Sequence, residues 1–161
     1  MTDQRTNPNV TSMVRKTLFD QPVLCVRSAR TDADPGRALF LANQAREHQE
    51  LAQAGPPYWF CWETEGGQVQ WEAGVPVNRA GTEEAPVETS VLPGGDVASV
   101  YFRGDYHDLD RAAAVLAHLR SEMAAASLEP KGEPRWVYLT DPASTPDPEN
   151  HYTEVVWPVR T

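Results

Sequence analysis

The sequence predicts an α+β domain: a duplicated strand–helix–strand–strand unit with pseudo-twofold symmetry, an antiparallel sheet, two helices on one face and a central ligand cleft. Three observations carry this prediction. First, Glu72-Ala-Gly-Val-Pro-Val77 and Glu154-Val-Val-Trp-Pro-Val159 share the form Glu-x-x-x-Pro-Val, and each ends a β-rich stretch. Second, a Pro-led aromatic stretch precedes each of them, Pro57-Tyr-Trp-Phe-Cys-Trp62 and Pro134-Arg-Trp-Val-Tyr138. Third, one long amphipathic helical stretch precedes each aromatic stretch. A repeat of this kind implies two copies of one unit sharing a core. The seam between the copies is a natural place for a ligand.

The elements follow in order. Residues 1–20 read as a flexible N-terminal arm, with Val14 to Phe19 as the part that docks on the body. A single domain over 21–161 follows, in halves of about 21–85 and 86–161. Gln21 to Arg30 is rich in β-formers and reads as a strand. Asp34-Pro35 supplies a cap and a first-turn proline for a helix. That helix is expected to reach about Gln53, with Leu39, Phe40, Leu51 and Ala52 inward and Gly55-Pro56 as its stop. Strands are expected at Tyr58–Thr64 and Gln68–Val77, joined by the hairpin signal Glu65-Gly66-Gly67. Asn78 to Ala85 is a polar connector.

The second half is expected to open with a strand pair, Val87–Leu92 and Val97–Arg103, turned by Pro93-Gly94-Gly95-Asp96. Asp108 caps a helix to about Ala126, in which Leu109, Ala112, Leu116, Leu119 and Met123 recur at helical spacing. Strands at Arg135–Thr140 and Tyr152–Val159 complete it. Between them, the proline-rich Asp141–Asn150 reads as a rigid exposed loop.

Charge and composition narrow the function. The 161 residues carry a formal charge of −9 and are 40% hydrophobic. An acidic surface repels phosphate backbones, so direct nucleic-acid binding is not expected. No apolar run approaches the ~20 residues of a membrane span, and the first 20 residues do not read as a signal peptide. Cys25 and Cys61 are the only cysteines. Both fall in expected strands, which favours a reducing, cytoplasmic setting over the alternative of a disulfide between them. His48, His107, His118 and His151 show no metal-ligand spacing, so neither metal nor cofactor is expected.

Strand alternation turns the repeat into a proposed site. In the last strand Val155, Trp157 and Val159 share the face expected beneath a helix, leaving Tyr152 and Glu154 on the open face. The same reasoning assigns Val137 and Leu139 to the helix side and Trp136 and Tyr138 to the open face. In the first copy it assigns Phe60 and Trp62 to the helix side and Trp59, Cys61 and Glu63 to the open face. Glu72 is the partner of Glu154 by the repeat. Aromatic faces hold cations by roughly 0.5–2 kcal/mol per good contact, and nearby carboxylates add to that.

Five motifs in order resemble the GyrI-like small-molecule-binding domain over about residues 20–160. They are Glu72–Val77, Leu92-Pro-Gly-Gly-Asp-Val-Ala98, Tyr101-Phe-Arg-Gly-Asp-Tyr106 with its helix, Trp136-Val-Tyr-Leu-Thr-Asp-Pro142 and Thr153–Val159. That domain also forms the effector-binding part of some AraC-type and MerR-type regulators. The resemblance implies a ligand cleft between halves for hydrophobic, often cationic aromatic compounds, in a stand-alone multidrug-binding or sensing protein. Candidate ligand-binding residues are Trp59, Glu63, Glu72, Tyr101, Tyr106, Trp136, Tyr138, Tyr152 and Glu154. The family commonly has an aromatic-Glu-x-Tyr pattern before Asp-Pro; aligned on Tyr138, the Glu position here holds Trp136. Either Glu154, Glu63 or Glu72 supplies the charge, or the pocket takes neutral flat ligands.

Some stand-alone members hydrolyse cyclopropane-bearing DNA-alkylating natural products. For that alternative, Glu154, Glu72 and Glu63 are the candidate acids, since a carboxyl in an apolar cleft has a raised pKa. Tyr101 or Tyr138 would then face a developing oxyanion. A third alternative is a protein-interaction module resembling gyrase inhibitors.

Overall fold

The computed structural model describes residues 9–29 and 34–160. Nine strands and two helices run in the order β1 (Val14–Leu18), β2 (Gln21–Ser28), α1 (Pro35–His48), β3 (Tyr58–Glu63), β4 (Val69–Pro76), β5 (Glu88–Leu92), β6 (Gly95–Arg103), α2 (Leu109–Ala125), β7 (Glu129–Pro130), β8 (Arg135–Tyr138) and β9 (Tyr152–Arg160). The strands form one antiparallel sheet in the order β1-β6-β9-β8-β3-β4-β2-β5, with the short β7 pairing on the end of β9.

That order is a palindrome of the two copies. Exchanging β1 with β5, β2 with β6, β3 with β8 and β4 with β9 returns the same sequence of strands. The repeat unit is therefore strand–strand–helix–strand–strand, one strand longer than expected. The extra strand of the first half is β1, which pairs with β6 from Val14↔Ser99 to Leu18↔Gly95. The docking part of the expected arm is thus a strand of the sheet. Residues 1–8 lie outside the described residues.

The expected hairpin at the start of the second half is a correction. β5 pairs with β2, and β6 pairs with β1 and β9. Each half gives its first strand to the outer edge of the other half. The two linkers cross at the pseudo-twofold axis, where the Gly94 amide donates to Asp20 Oδ1 at 2.6 Å. A Cβ on Gly94 would lie 2.5 Å from the Leu18 carbonyl and 2.8 Å from the Asp20 nitrogen. Only glycine lets the linkers pass so closely.

The hairpin at Gly66-Gly67 forms as expected, with Gly67 at φ 76°. Asp34 and Asp108 cap α1 and α2 through hydrogen bonds from the Gly36 and Arg111 amides. α1 ends at His48 rather than near Gln53, because Glu50 adopts φ 54° and turns Leu51 into the core. Its buried face is Ala38, Ala42 and Ala45, while Phe40 is exposed. Counting from the caps, the matching positions of α2 are Ala112, Leu116 and Leu119. The alanine face lets α1 pack directly on β2 and β4, whereas α2 meets the sheet mainly over β6.

Candidate functional site

Residues directly opposite each other in a ladder share a face. Trp59 pairs with Trp136 across β3 and β8 at the pseudo-twofold axis. Trp136 in turn opposes Val155, and Tyr138 opposes Thr153. Trp59 opposes Ala73, and Cys61 opposes Trp71. All of these lie on the helix side, since Val155 packs with the α2 residues Val115 and Leu119, and Trp71 and Ala73 pack with Ala38 of α1. The face assignment made from the sequence is therefore reversed for both aromatic strands. Trp59, Cys61, Trp136 and Tyr138 turn toward the helices; Phe60 and Val137 turn away.

The helix side holds a cleft of about 490 Å³ between α2 and strands β3, β6, β8 and β9. Its sheet wall is Trp59, Cys61, Trp136, Tyr138, Thr153 and Trp157, and its helix wall is Leu109, Ala112, Leu116 and Arg120. Phe102 meets Trp136 edge to face, with ring centroids 6.2 Å apart at 89°. Tyr106 closes one end, stacked on His151 at 4.7 Å and tilted on Tyr138 at 4.9 Å. The Tyr106 hydroxyl lies 2.8 Å from the Thr140 carbonyl and accepts from the Thr140 amide at 3.1 Å. Its oxygen holds the corner while its ring lines the cleft. Burial pushes the Tyr138 phenol up to about 12, so it stays protonated.

Two polar atoms in the cleft wall are buried without a hydrogen-bond partner, Trp59 Nε1 and Thr153 Oγ1. Buried polar atoms are rarely left unpaired, and each is costly when it is. An indole N–H needs an acceptor, and a hydroxyl can take either role. The charged lining groups are Asp105, Glu133 and Arg120. Glu133 and Arg120 are exposed at the rim, and the Arg120 guanidinium lies over the Trp157 ring at 5.9 Å.

The repeat explains why only one half opens. Aligned on the glutamates of the shared motif, Trp71 of the first half corresponds to Thr153 of the second. Trp71 is buried against Ala38, Ala73 and Cys61 and fills the space beneath α1. Thr153 leaves the matching space beneath α2 empty.

Of the nine candidate residues, Trp59, Tyr106, Trp136 and Tyr138 line the cleft together. Tyr101, Tyr152, Glu63, Glu72 and Glu154 do not. Glu63 is exposed at the end of β3. Tyr152 is 47% exposed. Glu72 is buried on the opposite face of the sheet, where it accepts from Arg27 Nε at 2.7 Å and from the Tyr58 hydroxyl. Arg27 is raised above its ordinary value by that hydrogen bond, against the cost of burial. Glu154, on that same face, is ion-paired with Lys16, whose ammonium also donates to the Tyr101 hydroxyl at 3.0 Å. The aromatics and the repeated glutamates thus lie on opposite sides of one sheet.

The cleft residues not singled out from the sequence as binding residues include Thr153, Trp157, Phe102 and the α2 stripe Leu109, Ala112 and Leu116. The helical stripe was legible but reads equally as core. Cys25 and Cys61 are free and lie on opposite faces, which removes the disulfide alternative. Among the described residues, no group of His, Cys, Asp and Glu is placed to hold a metal. No described helix is long and apolar enough to cross a membrane.

A sequence model of the GyrI-like small molecule binding domain matches residues 38–160. The chain belongs to the GyrI-like family. Among solved structures, this GyrI-like chain is similar to the EcmrR C-terminal domain, with 18% identity and a TM-score of 0.77 over 93% of this chain and 98% of that one. It covers 57% of the EcmrR chain in an EcmrR–DNA complex. SAV2435 bound to tetraphenylphosphonium aligns with 11% identity and a TM-score of 0.60, over 93% and 94% of the two chains. A protein described as a hydrolase from Listeria innocua aligns with 14% identity and a TM-score of 0.59, over 92% and 91%. At these identities the likeness is one of fold. No curated protein matches the sequence significantly.

Proposed function

We propose that this GyrI-like domain captures flat, hydrophobic aromatic molecules in the cleft beneath α2, as a binding or sensing domain. The observation that carries the reading is a pocket walled by Trp59, Trp136, Tyr138 and Trp157 in which Trp59 Nε1 and Thr153 Oγ1 await partners. Concave, mostly apolar sites with a few convergent polar groups are the usual form of small-molecule sites. A ring system carrying one hydrogen-bond acceptor would stack between the tryptophans and receive the Trp59 N–H.

Ligand charge is secondary in this reading. Trp136 occupies the position where relatives commonly carry glutamate, and none of Glu63, Glu72 and Glu154 lines the cleft. A cation would be held by ring faces and by Asp105 and Glu133 near the mouth, opposed by Arg120. Neutral flat ligands therefore bind at least as well as lipophilic cations of the same ring system. The binding of tetraphenylphosphonium by SAV2435 supports the fold's capacity for aromatic cations but does not fix this chain's preference. The reading involves no direct nucleic-acid contact by this domain, in keeping with its charge of −9. A hydrolytic reading would have to work from Asp105 or Glu133, the carboxylates within reach of the cleft.

Tryptophan quenching tests the proposal directly. A neutral planar dye and its cationic analogue are each titrated into the protein. Saturable quenching by both, with similar midpoints, is expected. Quenching by neither below about 1 mM, a binding free energy near −4 kcal/mol, would sink the reading. Strong preference for the cation would overturn the secondary role given to charge.

A further inference from the structure

The sheet face turned away from the helices carries its own cavity, about 280 Å³, at the pseudo-twofold axis beneath the crossing linkers. That is space for about nine water-sized volumes at ~30 Å³ each. Its lining includes Arg135, Lys16, Glu154, Tyr58, Val137 and Val156. Arg135 is only 9% exposed, yet among the described residues its guanidinium makes no hydrogen bond and no ion pair. The two neighbouring cations, both partly exposed, are engaged, Arg27 with Glu72 and Lys16 with Glu154, and Glu88 lies within electrostatic reach of Arg27.

The repeat shows what is unusual here. Arg135 is the counterpart of Tyr58, since Tyr58 opposes Gly74 and Arg135 opposes Val156 at matching positions after the two glutamates. Tyr58 closes on Glu72 over Gly74, where a Cβ would come within 2.8 Å of its hydroxyl. In the second half Lys16 already holds Glu154. Arg135 is left with through-space attraction from Glu72 and Glu154, and burial lowers its pKa below the ordinary arginine value.

We propose that Arg135 anchors a second ligand site, which takes a small monocarboxylate on the face opposite the aromatic cleft. The planar guanidinium fork matches a carboxylate in two parallel hydrogen bonds. Lys16 and Arg27 are each paired with a carboxylate, so Arg135 is the cation left for an added anion, and a monocarboxylate matches its single charge. A doubly charged phosphate would overshoot and meet Glu154. Val137, Val156 and Pro76 offer apolar surface to the acid's hydrocarbon part. This site does not depend on the ligand reading of the cleft.

The test is isothermal titration of benzoate and, separately, inorganic phosphate into the full chain and into Arg135→Met, which keeps the apolar stem. Saturable benzoate binding, weakened at least tenfold by the substitution and absent for phosphate, is expected. Prior saturation of the cleft with a planar dye should leave benzoate binding unchanged. No saturation by about 1 mM, equal binding by Arg135→Met, tighter phosphate binding or competition with the dye each overturns the proposal. If Arg135→Met does not fold, the Arg135 Nε–H resonance of the unsubstituted protein decides. It shifts with benzoate if the site exists, and a resonance that stays still contradicts it.

Discussion

The two halves share one scaffold and differ in what fills it. Beneath α1 the alanine face of the helix and the buried Trp71 leave no room. Beneath α2 the larger helix residues and Thr153 leave a cleft. The large residue has moved along the strand, for Trp157 of the second half stands where the first half has Val75. The opposite face differs in the same way: Tyr58 closes on Glu72 in the first half, and its counterpart Arg135 stands unpaired. Each half keeps a buried core of its own, and only the second leaves a cleft beside it.

The largest expected effect comes from hollowing the filled half. Trp71→Thr copies the second half's residue into the first and removes a buried indole, a change that costs about 3–5 kcal/mol. The urea midpoint should fall accordingly; a loss under about 1 kcal/mol would mean that Trp71 does not fill the space beneath α1.

Next is the paired comparison of the repeated glutamates. Glu72→Ala strands Tyr58 and Arg27 and is expected to cost about 3 kcal/mol, toward the low end for a broken buried pair because Arg27 is partly exposed. Glu154→Ala removes the partner of Lys16, itself about one-third exposed, and is expected to cost about 1 kcal/mol. Equal losses in chemical denaturation would contradict the asymmetry.

Gly94→Ala probes the axis that relates the halves. The clash with Leu18 and Asp20 is expected to cost about 1–3 kcal/mol, typical of overpacking. An unchanged midpoint would show that the linkers part freely.

The smallest effect is the alkaline limb of stability. Burial holds the Cys25 thiol and the Tyr138 phenol up to about 12, and holds Tyr58 higher still. Unfolded, these groups titrate near ~8.5 and ~10. Their folded values are raised, so their contribution is whole below the unfolded pKa and is lost as pH rises toward the folded one. Stability should decline from about pH 8.5 and more steeply above about pH 10. Tyr138→Phe should flatten the upper part of that decline; an unaltered curve would count against its burial.

The scaffold was largely legible in the sequence because its signals are local. The Glu-x-x-x-Pro-Val repeat, the Pro-led aromatic strands, the Asp caps at Asp34 and Asp108 and the Gly66-Gly67 hairpin each depend on neighbouring residues. The exchanged edge strands were not legible. β1, Val14–Leu18, alternates weakly and pairs with a strand some 80 residues away, and no local rule encodes such a partner. The faces of β3 and β8 were misassigned because aromatic or apolar residues sit on both sides, so period-two alternation has no polar side to anchor it. Three aromatics of the cleft wall, Trp59, Trp136 and Tyr138, were found even so, because a tryptophan or tyrosine in these strands is conspicuous whichever way it points. Thr153 carried no signal. Its meaning lies in being smaller than Trp71, which only the superposed halves reveal.

Thr153→Trp tests the central claim most directly, since it gives the second half the residue that fills the first. Isothermal titration with a planar aromatic ligand should show binding lost by more than tenfold while the thermal midpoint holds or rises. A variant that binds the ligand as tightly as the parent chain would contradict the claim that the space beneath α2 is the binding site.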